Sequence, residues 1–183
     1  MSRDYSFIET LDDPDLKHEV MRELAKSDLY FLCKFIMGYK DMEIRTDIHY
    51  RLCAELDLNP LRYLVLIFRG AFKTSIGMVK CIQWLLNDPN AQIGIGSDIK
   101  LRADKRVWDL RDMIAQNELL KELFPEIFYE NPEVNSDLWR TDEFNVKRTE
   151  RSLRGEGFSA PSISSFGLDP LPAGSHFTHV LLD

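Results

Sequence analysis

Lys73 and Thr74 are the residues of this chain best placed to do chemistry. They follow the turn Arg69-Gly70-Ala71-Phe72 and are followed by Ser75. A nucleotide triphosphate needs backbone N–H groups aimed at the anion, a lysine on the β/γ oxygens and a hydroxyl for Mg²⁺, all at a helix N-terminus. The full pattern, G-x-x-x-x-G-K-[ST], has glycine at the positions held here by Ile67 and Phe72, and Gly70 is the one glycine of the loop. Phe72 carries a Cβ where such a loop wraps closest to phosphate. Taken alone, the turn reads either as a phosphate cradle or as an ordinary strand-to-helix turn with a basic surface residue. A second feature adds to the first reading. Val180-Leu181-Leu182-Asp183 is an apolar run tipped by a carboxylate, and P-loop ATPases use such an acid in the Mg²⁺ shell. Arg69, beside the loop, could reach a phosphate or a neighbouring subunit, or serve packing and surface charge.

The elements that must position these residues follow from the hydrophobic pattern. Asp13-Pro14 has an acid at the cap and proline at the first helical position, a helix start. Leu16, Val20 and Leu24, then Leu29, Leu32, Phe35 and Ile36, predict one helical stripe ending near Gly38. A second helix is expected over 46–57, with Ile48, Leu52 and Leu56 on one face. The run Tyr63-Leu64-Val65-Leu66-Ile67-Phe68 then reads as a strand buried on both faces. A helix is expected from Thr74 to the Asn87-Asp88-Pro89-Asn90 breaker, a strand over 91–97, and a long helix over roughly 99–122. The stretch 131–142 is loop-like, and strands are expected near 144–147, 162–166 and 177–183. This alternation implies an α/β sheet with crossover helices over 61–183, preceded by a helical segment over 1–60. A compact domain seldom ends on a buried central strand, so the chain is expected to be the front part of a longer design.

Composition excludes several classes. Hydrophobic residues make up 44% of the 183, which is globular rather than disordered. With 30 acids against 23 bases the net charge is −7, which excludes a small basic nucleic-acid coat protein but not a nucleic-acid enzyme with local patches. The bases Arg140, Lys147, Arg148, Arg151 and Arg154 cluster near one another with three acids, and charge alone makes that a solvated loop. Apolar runs are far shorter than the ~20 residues of a membrane span. The N-terminus lacks a secretory pattern. Three scattered cysteines indicate a reducing compartment.

The run Leu66-Ile67-Phe68-Arg69-Gly70-Ala71-Phe72-Lys73-Thr74-Ser75-Ile76 resembles the phosphate loop of tailed-phage terminase large subunits, in which the glycine before lysine is sometimes replaced. Ile82–Asn90, Ile93–Asp98, Leu123–Glu126, Trp139, Phe144–Arg148, Pro161–Ile163 and Gly174–Asp183 stand in family-like order. The resemblance covers roughly 45–183. It implies a P-loop NTPase fold of the RecA-like, additional-strand type: a parallel sheet with flanking helices, incomplete at the C-terminus. It implies an ATPase that drives double-stranded DNA into a procapsid. The expected arrangement is a homo-oligomeric ring working with the portal and the small terminase subunit, in the host cytoplasm and away from membrane. ATP and Mg²⁺ are the implied cofactors. Arg69, Gly70, Ala71, Phe72, Lys73, Thr74 and Ser75 would form the nucleotide site. Thr74 and Asp183 would serve the metal. Of three candidates for an arginine inserted from a neighbouring subunit, Arg148 fits the family order better than Arg151 or Arg154. His49-Tyr50 lies where the family places adenine contacts, so Tyr50 could stack on the base, although packing is the plainer reading of both.

Other motifs carry less. Gly94-x-Gly96 lacks the third glycine and the following acid of a dinucleotide site. His176 and His179 would face opposite sides of a strand and share no metal. No serine elbow is present. A non-catalytic binding module with a degenerate loop, or another P-loop translocase or helicase, stands as the alternative.

Overall fold

The first helix begins where its cap dictates. Asp13 accepts from the N–H groups of Asp15 and Leu16, and α1 runs Pro14–Ser27. The computed structural model describes residues 4–148, 160–169 and 176–183. The chain divides into two compact units, Met1–Gln83 and Trp84–Asp183.

In the first unit a 3-10 turn, Ser6–Thr10, precedes α1. The predicted single stripe is two helices. Asp28 is extended (φ −136°, ψ 99°), and its Oδ1 accepts from Phe31 N at 3.0 Å, restarting the chain as α2, Leu29–Phe31, and a π-helical turn, Leu32–Ile36. Periodicity continues across the break because the same face stays apolar on both sides. The second oxygen of Asp28 accepts from the Tyr5 hydroxyl at 2.8 Å. Tyr5, Phe31 and Phe35 form a ring cluster with centroids about 5 Å apart. The helix α3 covers Thr46–Asp57, with His49 and Cys53 its buried residues and Ile48 and Leu52 half-buried.

The buried strand expected over 63–68 does not form. Leu64 is 78% exposed, Leu66 85% and Phe68 61%. Among the described residues, 63–67 make no backbone hydrogen bond. A strand is defined by a partner's N–H and C=O groups, and an apolar run supplies the side chains without supplying the partner. The run instead lines a groove of about 390 Å³ with Ile48, Arg51, Leu52 and Glu55 of α3.

The next helix, α4, runs Lys73–Asn87, its last residues lying past the unit boundary. Within the first unit its Lys80 joins a buried polar network. Lys80 Nζ donates to Gln83 Oε1 at 2.7 Å and lies 3.6 Å from Asp57 Oδ1. Asp57 also accepts from Gln83 Nε2 at 3.0 Å and Leu29 N at 2.9 Å. The ends of α3 and the middle of α4 are thereby tied together.

The second unit is built on a sheet with strand order β2-β3-β1-β4: β1 is Ile93–Ser97, β2 Glu143–Phe144, β3 Ile163–Gly167 and β4 His179–Leu182. β1 pairs in parallel with both β3 and β4, and β2 is antiparallel to β3. The unit is therefore α/β, but its sheet is mixed rather than wholly parallel. The expected 99–122 helix is broken into α5, Lys100–Gln116, and α6, Glu118–Leu123. Asn117 interrupts it, and its side chain caps α6 by accepting from Leu120 N at 2.8 Å. α5 packs on β1 and β3 through Ala103, Val107, Leu110 and Ile114. A short α7, Pro132–Asn135, lies in the stretch expected to be loop. Among the described residues no helix is long and apolar enough to cross a membrane.

Gly94 and Gly96 have a packing explanation. A Cβ on Gly94 would meet Phe177 at 2.8 Å and Phe166 at 2.9 Å, and one on Gly96 would meet Phe166 at 2.6 Å. The two rings stack on one another at 5.3 Å across this bare strip of β1. The glycines admit aromatic rings there.

Candidate nucleotide-phosphate site

The turn before α4 holds a backbone shape that its sequence does not advertise. Gly70 has φ +86° and Phe72 has φ +50°, both left-handed. Glycine reaches this conformation without cost, whereas a residue with a Cβ gives up roughly 1–2 kcal/mol. Phe72 thus occupies the position where the P-loop pattern places glycine and adopts the conformation that glycine would supply. The Ala71 N–H between them is turned back onto Phe68 O at 3.4 Å, closing the turn. The Phe72 carbonyl accepts from Ile76 N at 2.9 Å, so Phe72 caps α4 through its backbone. Lys73 is the first residue of the helix and is exposed, while Thr74 and Ser75 are half-buried. The N–H groups of that first turn have no carbonyl within the helix to bond, and the helix dipole adds partial positive charge.

Ala71, between the two left-handed residues, is 2% exposed. Its carbonyl lies 3.0 Å from His49 Nε2. The other ring nitrogen, Nδ1, accepts from Arg45 N–H at 2.7 Å. A carbonyl only accepts, so the ring is the neutral tautomer with its proton on Nε2. His49 is itself 2% exposed. A bond spanning 22 residues leaves no local signature, so residue type and spacing do not single out His49.

The remaining expected residues are placed as follows. Arg69 and Gly70 are exposed in the turn. Tyr50 packs edge-on against Tyr30, with centroids 5.3 Å apart, and Tyr30 Oη lies 2.7 Å from Thr46 Oγ1. In the second unit Asp183 ends β4, and its N–H donates to Gly96 O at 3.0 Å. Its carboxylate accepts from Arg106 Nε at 2.7 Å, and Arg106 also reaches Asp109 at 3.4 Å. Arg106, on α5, holds Asp183 across 77 residues of chain, and no local spacing singles it out. Arg148 is half-buried. It donates to the Ala160 carbonyl at 2.6 Å and to Ser162 Oγ at 3.3 Å, and burial lowers its guanidinium below the ordinary value. Arg148 thus stitches two segments of its own unit. Arg151, Arg154 and the Gly174-Ser175 pair lie outside the described residues. Trp84 stacks on His179 at 4.5 Å, both in the second unit.

Among the described residues no group of three or more His, Cys, Asp or Glu side chains could hold a metal by itself. Mg²⁺ in nucleotide sites is held by one or two protein oxygens plus phosphate and water, so the relevant donors are few. Thr74, in the first turn of α4, fits the hydroxyl role. The Asp183 carboxylate is paired with the Arg106 guanidinium at 2.7 Å within the second unit. No protein-family model, curated protein or solved structure matches the chain.

Proposed function

We propose that this chain is the nucleotide-binding part of a viral DNA-packaging ATPase. Lys73 binds the β/γ-phosphates of ATP, and the N–H groups of the turn and of the first helical turn cradle them. Thr74 would supply a hydroxyl to Mg²⁺, which when bound would neutralise charge on the phosphates. The observation that carries this reading is the left-handed backbone at Gly70 and Phe72 immediately before Lys73. It supports an anion cradle in a sequence that lacks the usual second glycine. Double-stranded DNA, a homo-oligomeric ring and the procapsid portal are the partners proposed on the family resemblance.

Calorimetry with a slowly hydrolysed ATP analogue and Mg²⁺ tests the reading. Lys73→Ala should weaken binding at least tenfold while leaving thermal stability unchanged. Equal binding by both proteins removes the proposal.

One observation favours a second reading, a module acting through protein contacts: the apolar run at 63–67, which makes no backbone hydrogen bond and exposes Tyr63, Leu64 and Leu66. A contiguous apolar surface of this kind marks interaction sites in soluble proteins.

A further inference from the structure

We infer that His49 is the positioning residue of the phosphate loop: through Nε2–H it holds the Ala71 carbonyl and sets the loop backbone before any ligand arrives. The inference deepens the nucleotide reading and rests on it for its ligand, but not for its geometry.

Three observations converge. Both ring nitrogens are engaged, Nδ1 by Arg45 N–H at 2.7 Å and Nε2 by Ala71 O at 3.0 Å. Both His49 and Ala71 are almost fully buried, so water does not substitute freely for either bond. Ala71 sits between the two left-handed residues of the turn. A single hydrogen bond to its carbonyl therefore fixes the plane of the Ala71–Phe72 peptide, and with it the direction of the Phe72 N–H and the start of α4. The Arg45 bond matters because it determines which nitrogen carries the proton: a bare Nδ1 leaves the donor on Nε2, facing the loop. α3 thus supports the imidazole, and its N-cap residue Arg45 selects the tautomer. Preorganised donors bind an anion without first ordering a flexible turn.

Two substitutions separate the two bonds. His49→Gln carries an amide N–H to the place of Nε2 and so keeps a donor for Ala71 O. His49→Asn keeps an acceptor near Nδ1 for Arg45 N–H but is too short for Ala71. Amide hydrogen exchange on the full chain without nucleotide is the first measurement. Amides of 70–73 should exchange at least tenfold faster in His49→Asn than in wild type, with His49→Gln close to wild type and α3 equally protected in all three. Loop exchange in His49→Asn equal to wild type, or His49→Gln as fast as His49→Asn, overturns the inference. The second measurement is affinity for the slowly hydrolysed ATP analogue, expected to fall about tenfold in His49→Asn and to recover in His49→Gln. If wild type itself does not bind the analogue, the nucleotide reading fails while hydrogen exchange still decides the role of His49. Should either variant fail to fold, ¹⁵N-histidine NMR of the wild type decides it: a neutral ring with its proton on Nε2 and slowed exchange of that proton supports the inference, and a proton on Nδ1 overturns it.

Discussion

Phe72 shows how a single residue can hold a shape its type disfavours. Its φ of +50° is maintained by the buried Ala71 before it and by Ile76 N–H on its carbonyl. Phe72→Gly and Phe72→Ala both remove the ring; the left-handed backbone favours glycine by more than its extra chain entropy costs, so the glycine variant should be more stable by up to about 1 kcal/mol in urea unfolding. Equal stabilities would mean that the turn relaxes. Asp57 gives a prediction in pH. Burial holds its carboxyl above the ordinary value, against the downward pull of Leu29 N–H, Gln83 and Lys80. A carboxyl raised in the folded state binds more protons there than in the unfolded chain. Its contribution to stability is therefore present at low pH and falls as pH rises upward from the ordinary carboxylate value. Asp57→Asn removes that fall, so the stability of the variant relative to wild type should improve between about pH 4 and pH 7. A relative loss over the same interval contradicts the assignment. Lys73 and Thr74 at the start of a helix were legible in the sequence, because residue type and spacing are local. The left-handed Phe72, the His49–Ala71 bond and the Arg106–Asp183 pair were not, since backbone angle and partners distant along the chain leave no periodic trace.

At the scale of elements, the helices declared themselves by period, but their interruptions did not. Asp28 and Asn117 each break an apolar stripe and recap it with their own side chains. Asp28→Ala should cost about 1–2 kcal/mol through the lost cap, measured by thermal or urea unfolding. A neutral effect would mean that the break is held by packing alone. The run 63–68 failed as a strand for the complementary reason: hydrophobicity predicts burial, whereas pairing depends on a neighbour that sequence does not name. β1 lies at the other extreme, buried along its whole length and paired on both sides. Its glycines are the price of the Phe166–Phe177 stack, since a Cβ at Gly96 would lie 2.6 Å from Phe166 Cζ. Gly96→Val should destabilise by about 1–3 kcal/mol or more, as overpacking does. An unchanged unfolding midpoint would show that the ring swings away freely.

For the whole molecule, the α/β class was readable from alternating elements, and the mixed sheet was not, because two residues of β2 are too few to carry a pattern. A last consequence follows from where the thiols lie. Cys33, Cys53 and Cys81 are all reduced and buried in the first unit, and burial pushes the Cys81 thiol up to about 12. The second unit contains none. A thiol-reactive dye added to the native chain therefore meets no exposed thiol until the structure around these three residues opens. The chain carries its own gauge of unfolding, ready for use without any engineered label.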